Sequence, residues 1–331
     1  MKKILLLLAM TFCLLPLPAQ KAELSKSDIK EFNKRMEDVD TSIKDRIFIY
    51  PSDFWTYVRS HNKPLLKYEK KDSRLRRKVR DELSDYRLEC DIMDKQLVKT
   101  ALQGSDVDSL TCYLSVMLSG TEALSDSIHI IPSDAFDVFI NDSGNIYITE
   151  GVCRLLAPDE LMFVVAHEYT HYLLKHIEVE MYRQKKEAFR DKMISGVVGG
   201  LAVAGVVYGV ASDSDVEPAI MVGVDIGIAG IGQVLAKRNA LLPGFSYSSA
   251  QEAEADFVAY QFMKNYSEVG AIESALEKLY ANTAQTPRGV DSPCCSHQAL
   301  LGRIKFVRYL ESNELPLSED VHNDSDEVYG R

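Results

Sequence analysis

A five-residue motif, His167-Glu168-Tyr169-Thr170-His171, constrains this chain more than any other feature. It lies in an apolar run with helical periodicity. One helical turn separates the two histidines, so both imidazoles leave the same face of the helix. That spacing suits two ligands of one tetrahedral zinc ion, with Zn–N distances of roughly 2.0–2.1 Å, and Glu168 can reach a water on that ion. The same pattern also occurs as two surface histidines on an ordinary helix, so the zinc interpretation needs a third ligand from elsewhere in the chain.

A later acidic segment offers that third ligand. Residues 248–264 are predicted to form a helix, and Glu252 and Asp256 share one face of it because they are four residues apart. Glu252 can bind the metal while Asp256 accepts the outer N–H of a ligating histidine. Acidic residues are also common at helix N-termini without any metal. The ligand interpretation therefore depends on the upstream motif.

The overall charge argues against one class of partner. The chain has 331 residues, 26% of them charged, and a formal net charge of −11. Binding to nucleic acid needs clustered Lys and Arg to neutralise phosphates. The one basic run, residues 74–80, is followed at once by Asp81, Glu82 and Asp85. We therefore interpret this run as a solvated helix face and predict no nucleic-acid partner.

The first twenty residues have the pattern of a secretory signal peptide. Lys2 and Lys3 precede an apolar stretch over residues 4–17, and cleavage is expected near Ala19 or Ala22. The protein is therefore predicted to be exported, in a bacterium to the periplasm or envelope. Five cysteines would remain in the mature chain, with no C-x-x-C spacing, and buried or free thiols are favoured over a disulfide framework.

The periodicity predicts an α+β chain that is mostly helical. Residues 21–124 form a helical N-terminal region, with one helix over 24–48 and a long one from residue 73. Short strands at 128–131, 135–140 and 146–149 follow, the last two forming a hairpin around turn residues. A helix from Pro158 runs through the two histidines to about Met193. Residues 311–331 are acidic and predicted to be disordered.

An apolar, glycine-rich segment at 193–236 allows two interpretations. Each of its halves is near the ~20-residue length that spans a bilayer, which would make it a membrane hairpin. Asp225 and the abundant glycine instead favour a helical hairpin in an exported soluble protein. Membrane association through this segment stays open.

The two-histidine helix, the short strands before it and the acidic helix after it follow one another in an order that resembles zinc metallopeptidase family M48. This family comprises gluzincins such as the CAAX prenyl protease, HtpX and BepA-type peptidases. The resemblance covers residues 125–310, which we assign as the metallopeptidase domain. It departs at Ser249, where the family commonly has Arg, and at Gln298, where it commonly has Pro. The matching pieces are Ile128-His129-Ile130-Ile131, Asp134-Ala135-Phe136, Gly151, Asp159-Glu160-Leu161, the two-histidine motif, Leu242-Pro243, Ser248, Glu252, Ala255-Asp256, Ser296-His297 and Arg303-Ile304.

This resemblance implies a gluzincin-type core in which a small β-sheet packs on the active-site helix. It implies one Zn²⁺ per chain, bound by His167, His171 and Glu252, with Glu168 as general base. His297 would stabilise the oxyanion or regulate access to the metal, and a structural histidine is the alternative. The implied function is an exported zinc endopeptidase that cleaves misfolded or envelope polypeptides. A chaperone or assembly factor on the same fold, with little proteolysis, is the alternative, and the oligomeric state cannot be predicted.

Overall fold

The computed structural model describes residues 24–37, 39–70, 74–198, 231, 247–283 and 297–314. The predicted signal peptide, almost all of the apolar segment after residue 198 and most of the acidic tail lie outside these residues. The predicted tail begins too early, because a helix continues to Glu314. Within the part of the chain that the structure describes, no helix is long and apolar enough to span a bilayer.

The described chain is mostly helical, with one small sheet. The N-terminal helices are α1 (Lys26–Met36), α2 (Pro51–His61), α3 (Lys63–Lys70), α4 (Arg74–Thr100) and α5 (Ser105–Ser119), with 3₁₀ turns at Thr41–Asp45 and Glu122–Ser127. The strands are β1 (Ile128–Ile131), β2 (Val138–Ile140) and β3 (Ile146–Thr149). After them come α6 (Glu150–Leu155), α7 (Pro158–Leu173), α8 (His176–Val198), α9 (Ser249–Tyr266), α10 (Gly270–Thr283) and α11 (His297–Glu314).

The sheet has the strand order β1-β3-β2. β3 pairs in parallel with β1 and antiparallel with β2, so the predicted hairpin is confirmed. β2 begins three residues later than predicted. Thr149 Oγ1 donates to the carbonyl of Ala135 at 2.6 Å and accepts from the Asp137 amide at 3.1 Å. These side-chain bonds hold the chain before Val138 outside the ladder.

Both faces of the sheet are covered. Ile146, Ile148 and Val138 face the main core around α7. Tyr147 and Phe139 point the other way and cluster with residues of α4. All four residues of β3 are buried, as expected for a strand between two packed layers. The sheet is therefore fixed between the long N-terminal helix and the helix that carries the two histidines.

The prediction of one helix from Pro158 to about Met193 is wrong. α7 ends at Leu173, and the chain changes direction at Lys175 before α8 begins. Lys175 has a φ of 51°, in the left-handed region that non-glycine residues seldom adopt. Arg59 donates from Nη1 to the carbonyl of Leu173 at 3.1 Å, and Lys175 Nζ lies 3.0 Å from Glu69 Oε1. Contacts from the N-terminal region thus end α7, and α8 starts in a new direction at His176.

The predicted helix over 24–48 is also shorter than expected. Ser25 caps α1 by accepting from the Asp28 amide at 3.1 Å, which fits the prediction at this end. The helix ends at Met36, and Asp40 then caps a separate 3₁₀ turn through the Ser42 amide at 3.0 Å. This turn buries Ile43, which a continuous helix would orient differently.

Candidate metal centre

Two helices bring the metal-type side chains together. α7 begins with Pro158 at its first position, and Glu160 Oε2 accepts from the Ala157 amide at 2.7 Å. α9 begins with a capping box in which Ser248 and Gln251 bond each other's backbone amides. Both helices are buried over most of their length and pack against each other in the main core. Their crossing sets Glu252 of α9 opposite the two histidines of α7.

His167, His171 and Glu252 form one cluster of possible metal ligands. Their ligand atoms all lie within 4.8 Å of one another. The two Nε2 atoms are 3.1 Å apart, and Glu252 oxygens lie 3.5 Å from His167 Nε2 and 3.9 Å from His171 Nε2. Tetrahedral zinc at roughly 2.0–2.1 Å from each donor would need separations of roughly 3.3 Å. The three observed separations bracket that value, so the donor set fits a zinc ion.

Asp256 contacts the outer nitrogen of His167, as predicted from its spacing. Asp256 Oδ1 lies 2.8 Å from His167 Nδ1. Arg303 of α11 donates to the same carboxylate from Nε at 3.0 Å and Nη2 at 2.7 Å. Burial raises the pKa of Asp256, but Arg303 and His167 more than offset this and hold the pKa below its usual value. The carboxylate is therefore ionised and accepts the Nδ1–H of His167, which leaves Nε2 directed at the cluster.

The pKa values of His167 and His171 are shifted in opposite directions. Burial and the charge of Arg303 lower the pKa of His167, but Asp256 and Glu252 raise it to about 9. Burial and the charges of His167, His176 and Arg303 hold the pKa of His171 well below its usual value. The rings are too close for both to be protonated. His171 is the neutral imidazole, the form that binds a metal.

An open cavity of about 590 Å³ adjoins the cluster. Glu168, His171 and Tyr247 line it on one side, and the end of β2 with its turn, residues 140–143, lines it on another. Glu168 is 6% exposed, so its carboxylate lies in a largely dehydrated wall. The ring of Tyr247 stacks on His171 with centroids 3.7 Å apart. The cavity is large enough for part of an extended peptide beside Glu168.

The structure does not describe every predicted site residue. His297 is the first residue of α11, but its side chain lies outside the described side chains, so its role stays a prediction. Two contacts were not predicted. The resemblance includes Arg303 without implying a role for it, and His176 of α8 has its Nδ1 2.8 Å from His171 Nδ1. Neither follows from spacing within one helix, because each reaches the cluster from a different element.

Comparison with known proteins assigns the chain to a family. A model of peptidase family M48 matches residues 114–310, well over half of the chain. The chain belongs to peptidase family M48. This confirms the resemblance and makes the chain a metalloprotease hydrolase by family. The M48 match includes the sheet, both helices of the His-His-Glu cluster and Arg303.

Two relatives of this M48 chain have curated names. A "Protease HtpX homolog" of Syntrophobacter fumaroxidans is 27% identical over 203 residues, which cover 59% of this chain and 67% of the relative. Another of Methanocaldococcus jannaschii is 24% identical over 218 residues, covering 59% and 66%. The chain thus spans about two thirds of the length of these relatives. No solved structure matches it at the same level of significance.

Proposed function

We propose that this protein is an exported, zinc-dependent endopeptidase that cleaves misfolded or envelope polypeptides. The observation that carries the proposal is the convergence of His167, His171 and Glu252 on one point beside Glu168, on helices that follow the M48 order. The three ligands would hold one Zn²⁺. When bound, zinc lowers the pKa of water toward about 7 and polarises a peptide carbonyl.

Glu168 is the proposed general base. Its carboxylate lines the cavity next to His171, so it faces the space that a scissile peptide bond would occupy. It takes a proton from the attacking water and passes it to the leaving nitrogen. Asp256 holds the proton on His167 Nδ1 and so keeps Nε2 available as a ligand. His297 would stand near the oxyanion, as the resemblance implies.

β2 is the proposed docking edge for substrate. Among the described residues β2 pairs only with β3, so no described strand occupies its outer edge. The cavity begins at Ile140, where β2 ends, and continues to Glu168. An extended peptide that added to β2 would be held by its backbone and would lead into the cavity. Such binding favours unfolded segments over folded proteins.

The test is cleavage of casein by the purified mature chain. We expect cleavage that a chelator abolishes and added Zn²⁺ restores. Glu168→Gln should reduce kcat at least about 10²-fold, the lower range for a lost general base, while the zinc content stays at one ion per chain. The exposed Glu122→Gln serves as the matched control and should cleave like the parent. Equal cleavage by Glu168→Gln and the parent would remove the proposal.

The same assay tests the chaperone alternative. A protein that only holds clients would bind unfolded casein equally well with Glu168→Gln and would cleave it under no condition. Export is a further proposal, which rests on residues 1–20. Fractionation of the producing cell tests it, and release by osmotic shock would also decide against membrane insertion through 193–236.

A further inference from the structure

A third buried histidine lies directly behind His171, the proposed metal ligand. His176 is 2% exposed, and its Nδ1 is 2.8 Å from His171 Nδ1. It lies outside the two-histidine motif, on α8. The carbonyl of His176 accepts from Gln251 Nε2 at 2.7 Å, which ties it to the first turn of α9 next to Glu252. The ring therefore has a fixed position relative to both helices of the cluster.

Only one placement of the protons on the two rings is compatible with a metal on His171. A hydrogen bond between two Nδ1 atoms requires a proton on one of them and a lone pair on the other. His171 directs its Nε2 at the ligand cluster, 3.1 Å from His167 Nε2. If Nε2 binds a metal, Nδ1 of His171 carries the proton and donates it to His176. The proton of His176 must then be on Nε2.

The far nitrogen of His176 faces a carboxylate. Glu254 Oε2 lies 3.3 Å from His176 Nε2, a close electrostatic contact that is not a well-aligned hydrogen bond. Glu254 Oε1 accepts from Asn62 Nδ2 at 2.8 Å, and Asn62 Oδ1 accepts from the Leu65 amide at 2.8 Å. Each contact in this series has a donor facing an acceptor. His171 Nδ1 faces His176 as a donor, and His176 Nε2 in turn faces the Glu254 carboxylate. Asn62 of the N-terminal region holds that carboxylate.

We propose that His176 is a positioning residue that fixes the metal-binding tautomer of His171, and that Glu254, held by Asn62, orients His176. The inference rests on the proposed function, because it assumes that His171 binds zinc. It gives each ligand histidine its own outer partner, Asp256 for His167 and His176 for His171. Partners of this kind commonly change metal affinity by about 10–100-fold when they are removed.

The test compares zinc dissociation constants of the full-length mature chain, measured by competition with a chromophoric chelator. His176→Phe keeps a ring of similar size but removes the acceptor, and we expect its Kd for Zn²⁺ to rise about 10–100-fold. His176→Asn restores an acceptor near the position of Nδ1 and should recover most of the loss. His61→Phe, at an exposed histidine of α2, is the matched control and should bind zinc like the parent.

Glu254→Gln is a second variant that leaves both rings in place. The change removes the negative charge beside His176 Nε2 and places an NH2 donor against either His176 Nε2 or Asn62 Nδ2, so we expect a loss of affinity between those of His61→Phe and His176→Phe. If the circular dichroism of His176→Phe shows that it does not fold, the zinc affinity of Glu254→Gln tests the positioning role instead. For the His176 and Glu254 variants that fold, kcat at saturating zinc should fall while KM changes little, because His171 would hold the ion in a less fixed orientation.

The outcomes separate this inference from the proposed function. A parent protein that binds no zinc would overturn both. A parent that binds zinc, with an unchanged Kd in His176→Phe and in Glu254→Gln, would overturn only the positioning role. An Asn variant as weak as the Phe variant would also count against it, because the acceptor would then not be what matters.

Discussion

Arg303 and Asp256 form a buried ion pair directly behind His167. The Arg303 side chain is 8% exposed and that of Asp256 is 2% exposed. Two guanidinium nitrogens contact the carboxylate, a geometry that compensates much of the desolvation of both charges. Removing one member would leave the other charged and buried. The pair therefore contributes to the stability of the fold as well as to the orientation of His167.

Arg303→Met should lower the free energy of unfolding by about 3–5 kcal/mol, since it removes the cation that pairs with the buried Asp256 carboxylate. Urea unfolding of the zinc-free protein measures this without a contribution from the metal. Arg154→Met is the matched control: Arg154 is 52% exposed and pairs with Glu150 at 2.9 Å, and such pairs contribute about 0–1 kcal/mol. If the two variants lost similar free energy of unfolding, the buried Arg303 pair would contribute no more to stability than an exposed pair.

The sequence predicts the residues of the cluster better than their surroundings. His167, His171 and Glu252 are found together because their spacing and their family pattern are local properties of two helices. His176 is missed because it follows His171 by five residues. On one continuous helix that spacing would turn it away from His171. Only the break at Lys175 brings the ring back, and no pattern in the sequence marks a lysine as a helix breaker.

The junction between α7 and α8 depends on the backbone conformation of Lys175. A left-handed conformation costs a non-glycine residue roughly 1–2 kcal/mol, and more for a β-branched one. Lys175→Ile should therefore lower the free energy of unfolding by about 1–3 kcal/mol. Lys175→Gly should stay near the parent, because relief of the backbone offsets the loss of the Glu69 contact. Urea unfolding compares the two.

A matched control places the same side-chain change on a regular helix. Lys30→Ile lies at an exposed position of α1, where it should change stability by no more than about 0.5 kcal/mol. Since the junction also places His176, the zinc affinity of Lys175→Ile should fall with its stability. If Lys175→Gly proved as unstable as Lys175→Ile, the left-handed backbone would not be the reason for the loss.

At the scale of the whole molecule, the N-terminal helices share one core with the helices of the cluster. Trp55 of α2 stacks on Phe262 of α9 at 4.9 Å and contacts the edge of Tyr169 of α7 at 4.9 Å. Its Nε1 donates to the carbonyl of Leu118 at 2.7 Å. Phe54, Trp55 and Val58 are all buried in this core. Which helices they pack against is set by tertiary contacts that periodicity does not contain.

This shared core predicts that the zinc site and the N-terminal region unfold together. Trp55 is the only tryptophan of the chain, so its fluorescence reports on the N-terminal region, while a chromophoric chelator reports the release of zinc. In a urea titration the two signals should have coincident midpoints, as expected for one cooperative unit. Trp55→Phe, which should lose the fluorescence transition but keep zinc release, confirms the source of the signal. A fluorescence change at clearly lower urea than zinc release would mean that residues 24–124 form a separate unit, one able to leave the protease domain while its metal stays bound.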